Sequence, residues 1–423
     1  MKTVLREIDS PILASHRDNV LITACGKPLE LVEIGKRLIY LPPQPDQSID
    51  VSRGEMKHLL ADVQRMHIPT ATGIEIAETI GDMLVQGYVH RNPKDPSTWR
   101  RIYSTIGAQA GFSPIQLGAT VTGISGAGKS TAIERALNLY PQVVVHEHLP
   151  GLARPSPQLV WLKVDAPASG KIIDLVDNLS RATDAALGSA HTANLFTGRR
   201  PSGSALAHRW LQTISCNFLG ILVLDELQNL FKIATKAERT VASRRQSGQR
   251  PDLRIADDEA LKFLLTLNNF AKIPTLYCST PDGMAALNTR MSTAQRMLTA
   301  GSYTLPQARS ADDDFFRKRF FPVICQYQWL PDKLPASDEL RRLLFDVSAG
   351  VPRMAVTAWI LASRRAIRRN ASGLSFEDFQ HVRMHEMGPL RPAVEALLSD
   401  DPRRLQVYED LMGAIRTPQG SFE

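Results

Sequence analysis

Cysteine is scarce in this 423-residue chain. There are four, Cys25, Cys216, Cys278 and Cys325, far apart in sequence. No Cys-x-x-Cys pair and no histidine at ligand spacing accompanies them, which argues against a structural zinc site. Each sits in an apolar stretch, the usage of small buried hydrophobes in a reducing compartment. Long apolar runs are missing too. No window approaches the roughly 18 apolar residues that span a bilayer, and residues 1–9 hold no apolar signal core. The expectation is a soluble, cytoplasmic protein with no membrane partner. Internal repeats and low-complexity tracts are also absent. What is present is ordinary for a globular protein: 43% hydrophobic and 22% charged residues, which argues against wholesale disorder. The length suffices for two or three domains. The net charge of +7 favours an anionic partner, nucleic acid before an anionic membrane surface.

Residues 1–50 read as irregular, with short extended pieces at 20–23 and 38–41. Helical spacing of apolar residues follows over 52–67 and 72–88, then a turn-rich stretch at 91–98. Residues 1–110 form an N-terminal appendage in this reading. From 111 to 333 apolar, β-rich runs at 117–122, 158–165, 218–225, 273–279 and 322–330 alternate with helix-like segments. That rhythm predicts an α/β fold, a largely parallel sheet with helices on both faces. Residues 334–387 read as a small all-helical lid, with helices over 340–347, 354–367 and 376–387. A C-terminal tail, 388–423, completes the chain.

Residues 123–130 read Gly-Ile-Ser-Gly-Ala-Gly-Lys-Ser, the Walker A pattern of a phosphate-binding loop. Gly123, Gly126 and Gly128 let the backbone curl around phosphate without a Cβ clash. The loop N–H groups, from Ser125 and Ala127 through Thr131, form an anion nest backed by a helix N-terminus. Lys129 is expected to reach the β- and γ-phosphates of ATP, and the Ser130 hydroxyl to ligate Mg2+. Residues 221–226, Ile-Leu-Val-Leu-Asp-Glu, form an uncharged strand tipped by two carboxylates. Behind a phosphate loop, Asp225 is expected to hold the magnesium ion, and Glu226 to orient and polarise the attacking water.

With these motifs in place, residues 111–385 resemble the AAA+ ATPases, and the resemblance implies the P-loop NTPase fold with a helical lid. It also implies a polar residue at the tip of an intervening strand. Thr280, or else Ser279, ends the strand Tyr277-Cys278-Ser279 and would touch the lytic water or the γ-phosphate. Gly350-Val-Pro-Arg353 resembles the arginine-bearing start of a lid helix, which gives Arg353 a γ-phosphate contact. Family sites lie between subunits, with an arginine supplied by a neighbour. The run Asp314-Phe-Phe-Arg-Lys-Arg-Phe-Phe321 precedes the expected last strand, and Arg319, then Arg317, is the candidate finger.

A closer resemblance is to the TnsC/TniB-type transposition regulators. It rests on residues 123–135, on Ile221-Leu-Val-Leu-Asp-Glu-Leu-Gln-Asn-Leu-Phe231, and on Cys278-Ser-Thr-Pro281, where that family tends to have Gly-Thr-Pro. The resemblance implies an ATP-dependent platform on duplex DNA that recruits transposase and is itself recruited by a target-selector protein. Independently, residues 232–254 hold seven basic and two acidic residues. Lys232, Lys236, Arg244 and Arg245 there would track phosphates without reading bases. Lys171, Arg199 and Arg200 are the corresponding backbone contacts that the resemblance implies. A head-to-tail homo-oligomer closes into a ring or propagates as a helical filament. A helicase-loader or replication-initiator-like ATPase shares every motif. A nucleotide-gated scaffold with little turnover is the alternative from a different class.

Overall fold

The strands form where β-branched and large apolar residues cluster, and each ends where a polar residue arrives. The computed structural model describes residues 16, 18–46, 48–103, 117–189, 203–230, 263–264, 273–281, 283–284, 295–399, 401–405 and 407–408. Among the described residues, the helices of eight or more residues are α1 (Leu31–Leu38), α2 (Arg53–Asp62), α3 (Ala71–Val89), α4 (Pro96–Tyr103), α5 (Lys129–Leu137), α6 (Ile172–Leu187), α7 (Gly203–Cys216), α8 (Asp338–Ser348), α9 (Pro352–Arg368), α10 (Phe376–Met384) and α11 (Arg391–Ser399). The strands are β1 (Gly118–Thr122), β2 (Val143–His146), β3 (Ser156–Leu159), β4 (Trp161–Asp165), β5 (Ile221–Asp225), β6 (Thr275–Ser279) and β7 (Ser302–Thr304).

The chain divides into two compact units interleaved in sequence. One comprises Met1–Glu30, Ile76–Thr122 and Ile133–Tyr303. The other comprises Leu31–Glu75, Gly123–Ala132 and Thr304–Glu423. The first is built on a five-stranded sheet of order β4-β5-β6-β1-β7, and β2 and β3 form a separate antiparallel ribbon. The β4–β5, β5–β6 and β6–β1 pairs are parallel. Every residue of β1, β5 and β6 is buried, as expected of central strands covered on both sides. Leu162, Val164, Leu222, Leu224 and Tyr277 pack on one face against Leu175, Val176 and Leu179 of α6 and Trp210 and Ile214 of α7. On the other face the Trp161 indole donates to the carbonyl of Tyr140, just past α5 (3.1 Å). The α/β class with helices on both faces is the one the sequence predicts.

The second unit is helical. Trp359, Phe379, Tyr327, Leu344 and Phe316 are fully or almost fully buried in one core formed by α8, α9, α10 and the end of α2. The Trp359 indole donates to the Tyr327 carbonyl (2.9 Å), and the Tyr327 hydroxyl donates to that of Pro42 (2.9 Å). Among the described residues no single helix is long and apolar enough to cross a membrane.

Four local expectations fail. The expected strand at 322–330 is instead a π-helical turn, Phe316–Phe320, running into a short α-helix, Phe321–Ile324, with Pro322 in its first turn. The fifth strand of the sheet is β7. Residues 20–23 are helical rather than extended, because Asn19 accepts from the Leu21 N–H and caps a turn. Leu38, expected to open an extended piece, ends α1. Turn-rich 91–98 leads into α4, which starts at Pro96, a residue suited to a helix's first turn.

Candidate functional site

In the helical unit, the phosphate loop carries two left-handed glycines, Gly126 (φ +82°) and Gly128 (φ +94°). That conformation disfavours any side chain. A Cβ on Gly126 would also lie 2.9 Å from Cγ1 of Val351, whereas one on Gly128 meets nothing within 4 Å and faces open space. Gly123 packs under Leu305, with Lys129 and Ala127 beside it. The Lys129 ammonium turns back into the loop and donates to the carbonyls of Gly123 (2.7 Å) and Ile124 (3.2 Å). No carboxylate contacts it among the described residues. Ser125 and Thr131 are exposed, and Ser130 is half-buried at the second position of α5.

Arg353 is exposed at the second position of α9, and its N–H donates to the Gly126 carbonyl (3.4 Å). The turn before it is built by Ser348, whose hydroxyl accepts from the Gly350 N–H (3.2 Å). Gly350 is left-handed and has no room for a Cβ beside Phe345 and Ala308. The sequence-predicted loop and Arg353 are thus brought together. They border a cavity of about 430 Å³, within the range that holds small ligands. Gly126, Gly128, Thr131 and Arg353 form its polar side; Leu305, Pro306 and Val356 form an apolar one.

The third wall was not foreseen. Met66, His67, Ile68, Thr70 and Gly73 line the same cavity, from a segment whose sequence suggested no chemistry. An isolated bridge, Tyr40 N–H to the His67 carbonyl (2.9 Å) and His67 N–H to the Tyr40 carbonyl (2.8 Å), fixes it. The Thr70 hydroxyl then accepts from the Gly73 N–H (3.0 Å) and starts α3. This threonine ahead of an apolar-periodic stretch is a helix-start signal, but a cap does not announce a ligand wall.

Of the candidate fingers, Arg317 pairs with Asp314 at 3.4 Å, as does the neighbouring Lys318 at 2.9 Å. Arg319, exposed on the π-helical turn, has no ion pair among the described residues. No strand follows that turn, so the expected placement of the finger ahead of a last strand is replaced by placement ahead of the helix Phe321–Ile324.

In the sheet unit, register aligns Asp165 with Asp225 and Thr122 with Ser279 at the C-terminal edge. Asp225 is 1% exposed. One of its carboxylate oxygens accepts from the Glu226 N–H (2.9 Å) and the other lies 3.2 Å from the Lys163 ammonium. Lys163, on β4, also reaches Glu134 (3.0 Å) and Asp165 (3.4 Å). Burial alone would lower its pKa, but Asp225, Glu134 and Asp165 outweigh that and hold it above the usual lysine range. A lysine between two apolar strand positions carried no motif and was missed in the sequence. Both carboxylate oxygens of Asp225 are thus engaged within the protein, one by the Glu226 N–H and the other by the Lys163 ammonium.

Glu226 is exposed and left-handed, with φ +53°. Thr280 is 6% exposed, and its hydroxyl has no hydrogen-bond partner among the described residues. The Ser279 hydroxyl and the Thr280 N–H both donate to the Gln228 amide oxygen, each at 3.2 Å. Lys171 is exposed at the N-terminus of α6, its side chain making no cap. Arg199, Arg200, Lys232, Lys236, Arg244 and Arg245 lie outside the described residues.

No curated protein matches the sequence. Solved structures similar to the chain include the Aeropyrum pernix ORC2 protein in its ADPNP–ADP complexes, at 12% identity and TM-score 0.39. That match covers 64% of this chain and 62% of that one, so it spans less than two thirds of that protein. The ADP form of the same protein aligns at 14% identity and TM-score 0.39, over 88% of this chain and 81% of that one. Drosophila ORC bound to DNA aligns at 12% identity and TM-score 0.36, over 92% and 70%. The family described as "AAA domain" matches residues 116–285. On that match, residues 116–285 are similar to AAA domains.

Proposed function

We propose that the protein binds ATP in the cavity beside the phosphate loop, hydrolyses it, and uses the nucleotide cycle to control its assembly on duplex DNA during transposition. The observation that carries the first part is the cavity itself. Loop backbone, Arg353 and an apolar wall surround about 430 Å³, which suits a ligand with one anionic end and one flat apolar end. In this reading Lys129 leaves the loop carbonyls and takes the β- and γ-phosphates, and Arg353 adds charge at the γ-phosphate. Ser130 and Asp225 would hold magnesium, which neutralises phosphate charge when bound. Glu226 holds the attacking water and takes its proton, while the Thr280 hydroxyl donates to that water or to the γ-phosphate. Arg319 of a neighbouring copy stabilises the charge of the transferring phosphoryl group.

The second part rests on the motif resemblance and on charge. Lys171, Arg199, Arg200, Lys232, Lys236, Arg244 and Arg245 would contact DNA phosphates without reading sequence. In the same proposal, residues 1–110 and 388–423 flank the ATPase domain (111–333) and lid (334–387) and meet transposase and target selector. A replication-initiator-like role shares the chemistry and differs in partner.

The test is a pair of variants followed by a DNA titration. Lys129→Ala is expected to lose ATP binding by at least about a hundredfold. Glu226→Gln should bind ATP as the wild type does and lose turnover by about a hundredfold or more. DNA binding is then titrated with ATP, with ADP and without nucleotide. Affinity that requires ATP, ignores sequence and falls steeply with salt supports the platform. Equal affinity in all three states rejects it and leaves the ATPase standing.

A further inference from the structure

Gln228 lies in the 221–231 run but has been given no role above, yet its side-chain amide is engaged at both ends. Its oxygen accepts from the Ser279 hydroxyl and the Thr280 N–H, each at 3.2 Å. Its nitrogen donates to a carboxylate oxygen of Glu226. Freezing a glutamine side chain costs rotamer entropy, so an amide satisfied at both ends at a half-buried edge calls for a reason.

The surroundings hold it in place. Leu227 and Leu230, at the ends of the 3₁₀ turn Leu227–Leu230, are buried. The Asn229 side chain donates to the Ala166 carbonyl (3.0 Å), and its N–H donates to the Glu226 carbonyl (2.9 Å). From the far side Gly283 packs onto Gln228 so closely that a Cβ there would lie 2.8 Å from the Gln228 Cα and collide with the Ser279 hydroxyl. Glu226 itself has a left-handed backbone, a conformation that L side chains rarely adopt. Its carboxylate is exposed, and its one hydrogen bond between side chains among the described residues is with Gln228.

We infer that Gln228 is a positioning residue for Glu226, an amide that fixes the carboxylate by its donor end and is itself aimed by the tip of β6. The inference rests on the reading of Glu226 as the group that polarises the water. It adds that the tip residues Ser279 and Thr280 act on that carboxylate through Gln228. A displacement of either on β6 is therefore transmitted to the base.

Two substitutions separate this from a plain tie between strand ends. Gln228→Met keeps the length and the packing on Gly283 and loses both ends of the amide. Gln228→Glu keeps the acceptor end for Ser279 and Thr280 and sets a carboxylate against Glu226. Both are expected to lower kcat about thirtyfold, with KM for ATP and nucleotide affinity unchanged within about twofold. Ser279→Ala should lower kcat about threefold; if Gln228→Met fails to fold, it and Gln228→Glu carry the test. In a Glu226→Gln background, Gln228→Met is expected to cost nothing further, because it acts through a group already removed.

Turnover near wild type in Gln228→Glu means that only the tie between strand ends matters and overturns the inference. A loss that adds in full to that of Glu226→Gln overturns it as well. Either result leaves Glu226 in its role provided that Glu226→Gln is itself inactive. If Glu226→Gln turns over normally, the base assignment fails first and the inference falls with it.

Discussion

At the scale of single residues, the two left-handed glycines of the phosphate loop have separate tasks. Gly126 lies against Val351 and Arg353, whereas Gly128 faces open space. Gly126→Ala therefore meets both backbone strain and a contact of 2.9 Å, and it should destabilise the nucleotide-free protein by roughly 2–3 kcal/mol. Gly128→Ala meets strain alone, about 1 kcal/mol, but its Cβ takes space that a phosphate would use. Its expected signature is a small drop in melting temperature with a large loss of ATP affinity, and thermal melts with and without nucleotide separate the two. A similar loss of stability in both variants would mean that the lid contact is not what fixes Gly126. This loop was legible in the sequence because its residues are contiguous and their chemistry depends on local backbone geometry. Lys163 was not. Its role comes from β4 lying beside β5, a pairing across about 60 residues that no window displays. Gln228 sits two residues from Glu226, yet its meaning depends on β6, about 50 residues on.

At the scale of elements, apolar periodicity found four strands of the sheet, put a fifth at 322–330 where helix stands, and missed β7. The run Phe320-Phe-Pro-Val-Ile-Cys325 is short and apolar, and such a run fits a buried strand or a buried helix equally well. Pro322 was the available signal. It has no N–H for a strand ladder and suits a first helical turn, where it is found. Three-residue β7, half-exposed at the sheet edge, is too short to give a pattern. The cavity wall at 66–73 was invisible for a different reason: it is placed by one backbone bridge between Tyr40 and His67, and backbone pairing carries no side-chain signature. The lid helices were legible, and one contact among them makes a prediction. Asp378 is buried at the start of α10, accepting from Arg369 (2.9 Å) and from Ser375 in a capping box. Burial raises its pKa, but the bonds from Arg369 and Ser375 outweigh that and hold it below the ordinary aspartate value of 3.8. A carboxylate depressed in the folded state adds stability above its unfolded pKa and loses it as the pH falls through the folded one. The helical unit should thus lose this contribution below about pH 4. Asp378→Asn should lower stability at pH 7 by about 2 kcal/mol and show a shallower acid loss between pH 5 and 3. Parallel acid curves for variant and wild type would assign the acid sensitivity to other groups.

At the scale of the whole molecule, the question is where the cation facing the transferring phosphoryl group comes from. Arg317 and Lys318 are held by Asp314, while Arg319 stands exposed and without an ion pair among the described residues. An arginine that serves its own subunit gains from being held by a carboxylate, whereas one that serves a neighbour must remain available to it. If Arg319 acts on the next copy in a head-to-tail assembly, each active site takes its phosphate loop from one chain and its finger from another. Arg319→Ala should then bind ATP normally and lose turnover by about a thousandfold, and Glu226→Gln, which also binds ATP, should be inactive for want of its carboxylate. Mixing the two restores composite sites wherever an Arg319→Ala chain presents its intact loop and Glu226 to the intact finger of a Glu226→Gln chain. Random head-to-tail order makes that about a quarter of all interfaces at equal amounts. The expected result is recovered ATPase activity near a quarter of wild type in the presence of ATP and duplex DNA, proportionate to the mixing ratio. Electron microscopy of the same sample should show rings or filaments. A mixture as inactive as its parts, in a sample that does assemble, would place the finger elsewhere, with Arg317 next to be tested. Samples that remain monomers or dimers with ATP and DNA would remove the shared site altogether and leave each chain to hydrolyse ATP with its own residues.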